Sequence, residues 1–177
     1  MAGARRRTGM GHSRKPVRSP RSAPAPELVI TRVFDAPARL VFRAWTEPEH
    51  LVHWSAPRGF TITHCEGDLR PGGAWRSCMR SPAGEDLWLG GVYREIVEGE
   101  RLVFTHAWDG KDGRPGHETV VTVAFTEAGG KTTMIFRQAG FESVEARDGH
   151  RGGWTECFDR LAEHFVTARR ATYRSKP

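Results

Sequence analysis

Two hydrophobic periods alternate along this chain. The run ELVITRVFD, from Glu27, carries apolar residues at Leu28, Ile30, Val33 and Phe34, the pattern of a half-buried strand. It ends at Asp35-Ala36-Pro37, where Asp35 is placed to cap a helix and Pro37 to open one. ARLVFRAW then sets Val41, Ala44 and Trp45 on one helical face, and a second short helix, PEHLVHW, opens with Pro48 and stops before Pro57.

From Phe60 to Phe141 the period falls to two. FTITHCEGDL, AWRSCMR, LWLGGVYREIV, RLVFTHAW, ETVVTVAFT and KTTMIFRQ are strand-like runs separated by short Gly- and Pro-containing turns. Short connections predict an antiparallel meander. After Phe141 the period returns to 3.6, with Trp154, Phe158, Leu161 and Phe165 forming one stripe of a long amphipathic helix. Gly149, Gly152 and Gly153 predict a loose or kinked entry to that helix.

The sum is an α+β chain with one strand, two short helices, six strands and a terminal helix. One helix must cover about seven curved strands, and a lone helix seldom fills that volume, so a cavity between sheet and helix is expected. Alternation selects the side chains that face it. Trp75, Ser77 and Met79 group against Arg76 and Arg80. By the same test Trp88, Gly90, Val92 and Ile96 face inward, as do Leu102, Phe104, His106 and Trp108. So do Val121, Val123 and Phe125, then Met134, Phe136 and Gln138. Arg94 falls on the inward register, which places a charge at the cavity mouth or against a ligand. The expected lining is Trp75, Met79, Trp88, Val92, Phe104, His106, Trp108, Phe136, Gln138, Trp154 and Phe158. Apolar walls with a few polar groups characterise small-molecule pockets, although each of these residues also reads as plain core.

Charge changes the picture only when it is located. Seven of the 27 basic residues lie within residues 1–26, which hold no acid, so the remaining 151 residues carry 20 bases against 21 acids. The net charge of +6 therefore belongs to the tail. That tail is rich in Arg, Ser, Pro and Gly and has no apolar run, so it reads as disordered. It also lacks the h-region of an export signal. We take it as an incidental extension, with Met10 an alternative start, rather than as a nucleic-acid arm. The folded domain is expected over 27–168 and a C-terminal tail over 169–177. No run approaches the length of a membrane span, so no membrane partner is expected. Cys65, Cys78 and Cys157 are widely spaced and odd in number, which fits reduced thiols in a cytoplasmic protein.

The candidate chemistry centres on His106. A histidine between Phe104 and Trp108 on an inward face is desolvated, which favours its neutral form and suits it to acid–base work. Glu66 and Arg94 would complete a polar patch with it, near His64 and Asp68. His50 and His53 share a helix face at i, i+3, but no thiol or carboxylate at ligand spacing accompanies them, so no metal is expected. No nucleotide or phosphate fingerprint appears, and no cofactor is expected. Cys157 reads as buried packing, and the Gly72-Gly73 and Gly90-Gly91 pairs as turn, bulge or close backbone approach.

Four blocks, ITRVFDAPARLVFRAWTEPEHLVHW, DLRPGGAW, GGVYREIVEGERLVFT and HRGGWTECFDRLAEHF, together resemble START-like (SRPBCC) domains. Their order and spacing resemble the group named after the activator of the ATPase of the ninety-kilodalton heat-shock chaperone. The resemblance covers residues 27 to about 168. It implies a helix-grip fold, an antiparallel sheet wrapped on a long C-terminal helix, with an apolar ligand cavity between them. Its members include lipid and polyketide binders, aromatase/cyclases, resistance proteins and chaperone-associated domains, so fold alone does not give function. Some pair as homodimers through exposed strand edges or faces. Three readings follow: a binder of a small apolar or aromatic molecule, a cyclase or hydrolase using His106, and an interaction module acting on a chaperone or regulator, for instance in a stress response.

Overall fold

The computed structural model describes residues 25–174. The expected basic tail lies outside the described residues apart from its last two positions. The order is β1 (Glu27–Phe34), α1 (Ala38–Thr46), α2 (Pro48–Trp54), β2 (Thr61–Gly67), β3 (Ala74–Arg80), β4 (Asp86–Val97), β5 (Arg101–Trp108), β6 (Thr119–Ala128), β7 (Lys131–Ala139) and α3 (Val144–Arg174). These are the expected elements in the expected order. α3 continues to Arg174, into the stretch expected as a C-terminal tail.

The strands form one antiparallel sheet in the order β1-β7-β6-β5-β4-β3-β2, so the meander from β2 to β7 is intact and β1 pairs against β7. Its concave face is covered by α1, α2 and α3. Leu102, Val121, Val123, Met134 and Phe136 from the sheet meet Phe158 and Leu161 from α3 and Val41 from α1, all fully buried. α1 takes its N-cap two residues beyond Asp35. Pro37 occupies the N-cap of α1, and the Ala38 N–H donates to the Glu127 carboxylate at 2.8 Å.

The kinked entry to α3 is not observed. The helix runs without interruption through Gly149, Gly152 and Gly153. Its start is fixed by Ser143, whose hydroxyl accepts from the Ala146 N–H at 3.1 Å, and Glu145 in the first turn complements the helix dipole. Packing of Ala146 and Trp154 against the core then holds the glycines helical. Among the described residues no helix is long and apolar enough to cross a membrane.

β4 departs from simple alternation, and the departure moves four predicted residues. β4 pairs with β5 in register from Leu89↔Trp108 to Tyr93↔Phe104, then shifts by one residue before Glu95↔Val103. This bulge inverts the faces on its two sides. Ile96 after it faces the core as expected, but before it Leu87, Leu89 and Tyr93 are the inward residues. Trp88 and Val92 lie on the convex face, 38% and 39% exposed. Arg94 also leaves the cavity and pairs with Glu118 at 3.0 Å among exposed side chains. Gly90 packs over the Arg76 side chain on the convex face, where an added Cβ would come within 2.7 Å of it.

Gly91 has a different duty. A Cβ there would stand 1.9 Å from the Thr105 carbonyl oxygen, the atom that also accepts from the Trp75 indole N–H at 3.1 Å. Without a side chain at 91, Trp75 on the neighbouring β3 reaches across to β5.

Candidate functional site

The site grows from the first turns of α3 and the ends of three strands. Met79 on β3, Leu87 and Leu89 on β4, and His106 and Trp108 on β5 face Ala146, Gly149, His150, Gly153, Trp154 and Cys157 on α3. Ser55, Pro57 and Phe60, from the turn after α2, close one end. Between them lies a cavity of about 500 Å³. Its walls are overwhelmingly apolar, and Glu145, exposed at the rim, is the one carboxylate among them. Backbone and Ser143 hydrogen bonds hold that carboxyl below its usual range, so it is ionised.

The space exists because of what α3 lacks. Gly149 and Gly153 stand one turn apart on the face turned to the cavity, and an added Cβ at 149 would meet no atom within 4 Å. At both positions a larger side chain would occupy the cavity instead of compressing the core.

Four of the expected lining residues are there: Met79, His106, Trp108 and Trp154. Trp75 and Phe104, again with His106 and Trp154, wall a smaller inner chamber. Phe136, Gln138 and Phe158 are fully buried behind these walls and border neither space. Trp88 is on the far face of the sheet, 5.2 Å below the Arg76 guanidinium and beside the His64 ring. Arg76 forms a paired contact with Asp109 at 2.9 and 2.7 Å, which holds that carboxyl low and fixes the cation over the indole.

His106 is 3% exposed and surrounded by the rings of Trp75, Trp108, His150 and Trp154, at centroid distances of 5.7–6.0 Å. Burial, then the neighbouring His150, pushes its pKa down to about 4. The imidazole is therefore neutral at pH 7. The grouping of His106 with Glu66 and Arg94 is not assembled. Glu66 is exposed and pairs with His64 at 3.4 Å, on the opposite face from Cys65, which lines the inner chamber. Burial raises the Cys157 thiol to about 12, so it is not a thiolate nucleophile.

The alternation pattern does not reveal His150, although it lies one turn before Trp154 on the same helical stripe. A tryptophan N–H can only donate, so the 3.1 Å contact from Trp108 Nε1 makes His150 Nε2 an acceptor. Its Nδ1–H then donates to the Ala146 carbonyl at 2.8 Å. This bond pins the end of β5 to α3 beside the cavity. A second chain, buried from Gln138 inward, positions Trp154: its Nε1–H donates to Gln138 Oε1 at 2.8 Å, Gln138 Nε2 donates to Thr119 Oγ1 at 2.8 Å, and Thr119 donates to the His106 carbonyl at 3.0 Å. Gln138→Leu strands the Trp154 donor in the interior and is expected to destabilise the fold by about 2 kcal/mol in urea unfolding at neutral pH. A change below roughly 0.5 kcal/mol, the scale of ordinary surface substitutions, would contradict this role.

Among the described residues no group of three or more His, Cys, Asp or Glu is placed to hold a metal. His50 and His53 instead turn toward His164 on α3. His50 Nδ1 lies 3.0 Å from His164 Nε2, and the His53 ring stacks on His164 at 5.1 Å.

Comparison with known proteins bears on the whole of this region. A family model described as Activator of Hsp90 ATPase homolog 1-like protein matches residues 35–166. A crystal structure of a protein from Chromobacterium violaceum is similar at 30% identity and a TM-score of 0.71, covering 77% of this chain and 94% of that one. One from Nitrosomonas europaea is similar at 25% identity and a TM-score of 0.70, covering 81% and 96%. An AHSA1 protein from Silicibacter pomeroyi, at 23% identity, shares the fold with a TM-score of 0.74 over 81% and 99% of the two chains. No curated protein matches the chain.

Proposed function

The chain belongs to the Activator of Hsp90 ATPase homolog 1-like family, and from that premise we propose that it binds one small, neutral, apolar or aromatic molecule between its sheet and α3. The family's START-like fold is of the ligand-binding kind. The observation that carries the proposal is the cavity of about 500 Å³, whose walls combine Met79, Leu89, Trp108 and Trp154 with the neutral His106. A space of this size and lining suits a drug-sized molecule held by burial and oriented by one or two polar contacts. Among the described residues no Lys or Arg lines it, so a carboxylate or phosphate ligand would lose its hydration without a counter-charge.

Acid–base catalysis is less well supported. An imidazole with a pKa near 4 is a weak base at pH 7, and Arg94 and Glu66 stand outside the cavity. Binding accounts for a neutral His106 without further partners.

Titration with N-phenyl-1-naphthylamine, an uncharged fluorophore, tests the proposal. Saturable 1:1 enhancement with a Kd on the order of 10 μM is expected for about 17 buried heavy atoms. Native mass spectrometry of the freshly purified protein is expected to find a stoichiometric apolar compound or to accept the probe. Weak, non-saturating fluorescence together with an empty mass spectrum would sink the reading.

A further inference from the structure

Behind the main cavity lies an inner chamber of about 70 Å³. Ser55, Leu89, His106 and Trp154 border both spaces and form the partition between them. About 10–15 Å³ of such space is enough to hold one water, so the chamber admits a small polar group.

Its wall includes Trp45, which is 4% exposed and stacks on Trp154 and Phe136. Among the described residues the Trp45 indole Nε1 is the one buried side-chain nitrogen or oxygen without a hydrogen-bond partner. The neighbouring tryptophans show how unusual this is. Trp54 donates to the Ala44 carbonyl at 2.8 Å, Trp75 to Thr105, Trp108 to His150 and Trp154 to Gln138. A buried donor left unmet is unfavourable, and native interiors rarely leave one so. The adjacent helix residues give Trp45 no acceptor; its ring forms part of the chamber wall, and because Nε1 itself is covered, a small rotation of the indole brings its N–H to an acceptor placed there.

We propose that the inner chamber is a polar subsite: the bound molecule carries a terminal, uncharged oxygen acceptor, a carbonyl or hydroxyl, that passes between His106 and Trp154 to accept from Trp45 Nε1–H. This rests on the binding reading above and narrows its ligand to neutral aryl or alkyl ketones, aldehydes, phenols and alcohols. A carboxylate is disfavoured, because among the described residues no Lys or Arg borders the chamber to offset the loss of its hydration. The body of the ligand stays in the outer cavity against Met79, Leu89 and Trp108.

The test uses two probes of the same shape, 2-acetylnaphthalene and 2-isopropenylnaphthalene, which differ by an oxygen in place of a methylene. Their affinity ratio is measured for the parent protein and for Trp45→Phe, which keeps an aromatic ring and removes the donor. The ratio is expected to fall about tenfold in the variant, equivalent to ~1.4 kcal/mol. A second measurement needs only the parent protein. In ¹⁵N-edited spectra the Trp45 indole N–H is expected to move downfield with the ketone and not with the alkene.

An unchanged ratio with an unmoved Trp45 resonance, while both probes bind, overturns the subsite and leaves the binding reading standing. Failure of both probes to bind the parent protein overturns the two together. Should Trp45→Phe not fold, the resonance alone decides.

Discussion

Leucines placed at both Gly149 and Gly153 are expected to weaken N-phenyl-1-naphthylamine binding by about 100-fold, equivalent to ~2.7 kcal/mol, while making the protein more stable. The two effects have separate causes. Both positions lie inside α3, where replacing glycine by a good helix former is favourable by roughly 0.8 kcal/mol each. Both also line the cavity, and among the described residues they are its only glycines. A Cβ at 149 meets nothing within 4 Å, and one at 153 meets only Pro57 at an ordinary 3.8 Å, so each side chain extends into the space without displacing backbone.

The opposition of the two effects gives the experiment its force. Most substitutions that abolish binding also damage the fold, and a loss of affinity then says little about location. Here calorimetry is expected to show a higher Tm in the same sample that no longer takes up the probe. A stabilised variant that still binds like the parent would place the probe elsewhere, and the interaction-module reading would regain ground. A destabilised variant would mean that the glycines serve packing and not the cavity.

Much of this geometry was legible because it follows from period alone. On β5 the residues Leu102, Phe104, His106 and Trp108 face inward as alternation requires, and on α3 the stripe from Trp154 to Phe165 faces the sheet. These elements are regular over their whole length, so one correct face assigns every other residue. β4 was not legible by that means. Its extra residue between Tyr93 and Glu95 has no glycine or proline to mark it, and fixing the face from Ile96 puts Trp88 and Val92 on the wrong side. The Gly90-Gly91 pair signals a turn, a bulge or a close approach; Gly91 shows the close approach against Thr105, and the bulge falls after Tyr93, beyond the pair.

The candidate site required more than period. His106 was identifiable from its neighbours on one strand, whereas Trp75, His150 and Trp154 around it come from elements 31 to 48 residues away in sequence. His150 sits on the α3 stripe extended back by one turn from Trp154, inside the helix but before the first residue assigned to the stripe. The fully buried roles of Phe136, Gln138 and Phe158, and the lining roles of Leu89 and Phe60, depend on how deeply α3 settles on the sheet. That depth is a property of packed side-chain volumes, and no alternation pattern encodes it.

His106 is expected to make the protein acid-sensitive in a window where surface groups alone would not. Its pKa in the folded state is about 4, against an ordinary value of 6.5. Above pH 6.5 both the folded and unfolded chains hold the ring neutral, and the stabilisation is fully present. As pH falls from 6.5 toward 4 the unfolded chain takes up a proton that the folded chain refuses, so stability declines. The loss approaches roughly 3 kcal/mol near pH 4, and the group is too deeply buried for solvent screening to reduce it much. Protonating the ring in place would put a cation among Trp75, Trp108 and Trp154, beside His150, in a cavity without a compensating anion except Glu145 at the rim. His106→Leu removes the titrating group, so unfolding free energies of the variant and the parent, measured from pH 7.5 to 4, are expected to converge as pH falls. Carboxylates paired elsewhere, such as Asp109 with Arg76, titrate alike in both proteins and cancel in the difference. Parallel curves across that range would show that the imidazole is already solvated or charged in the folded state, and the neutral, water-poor cavity wall would have to be abandoned.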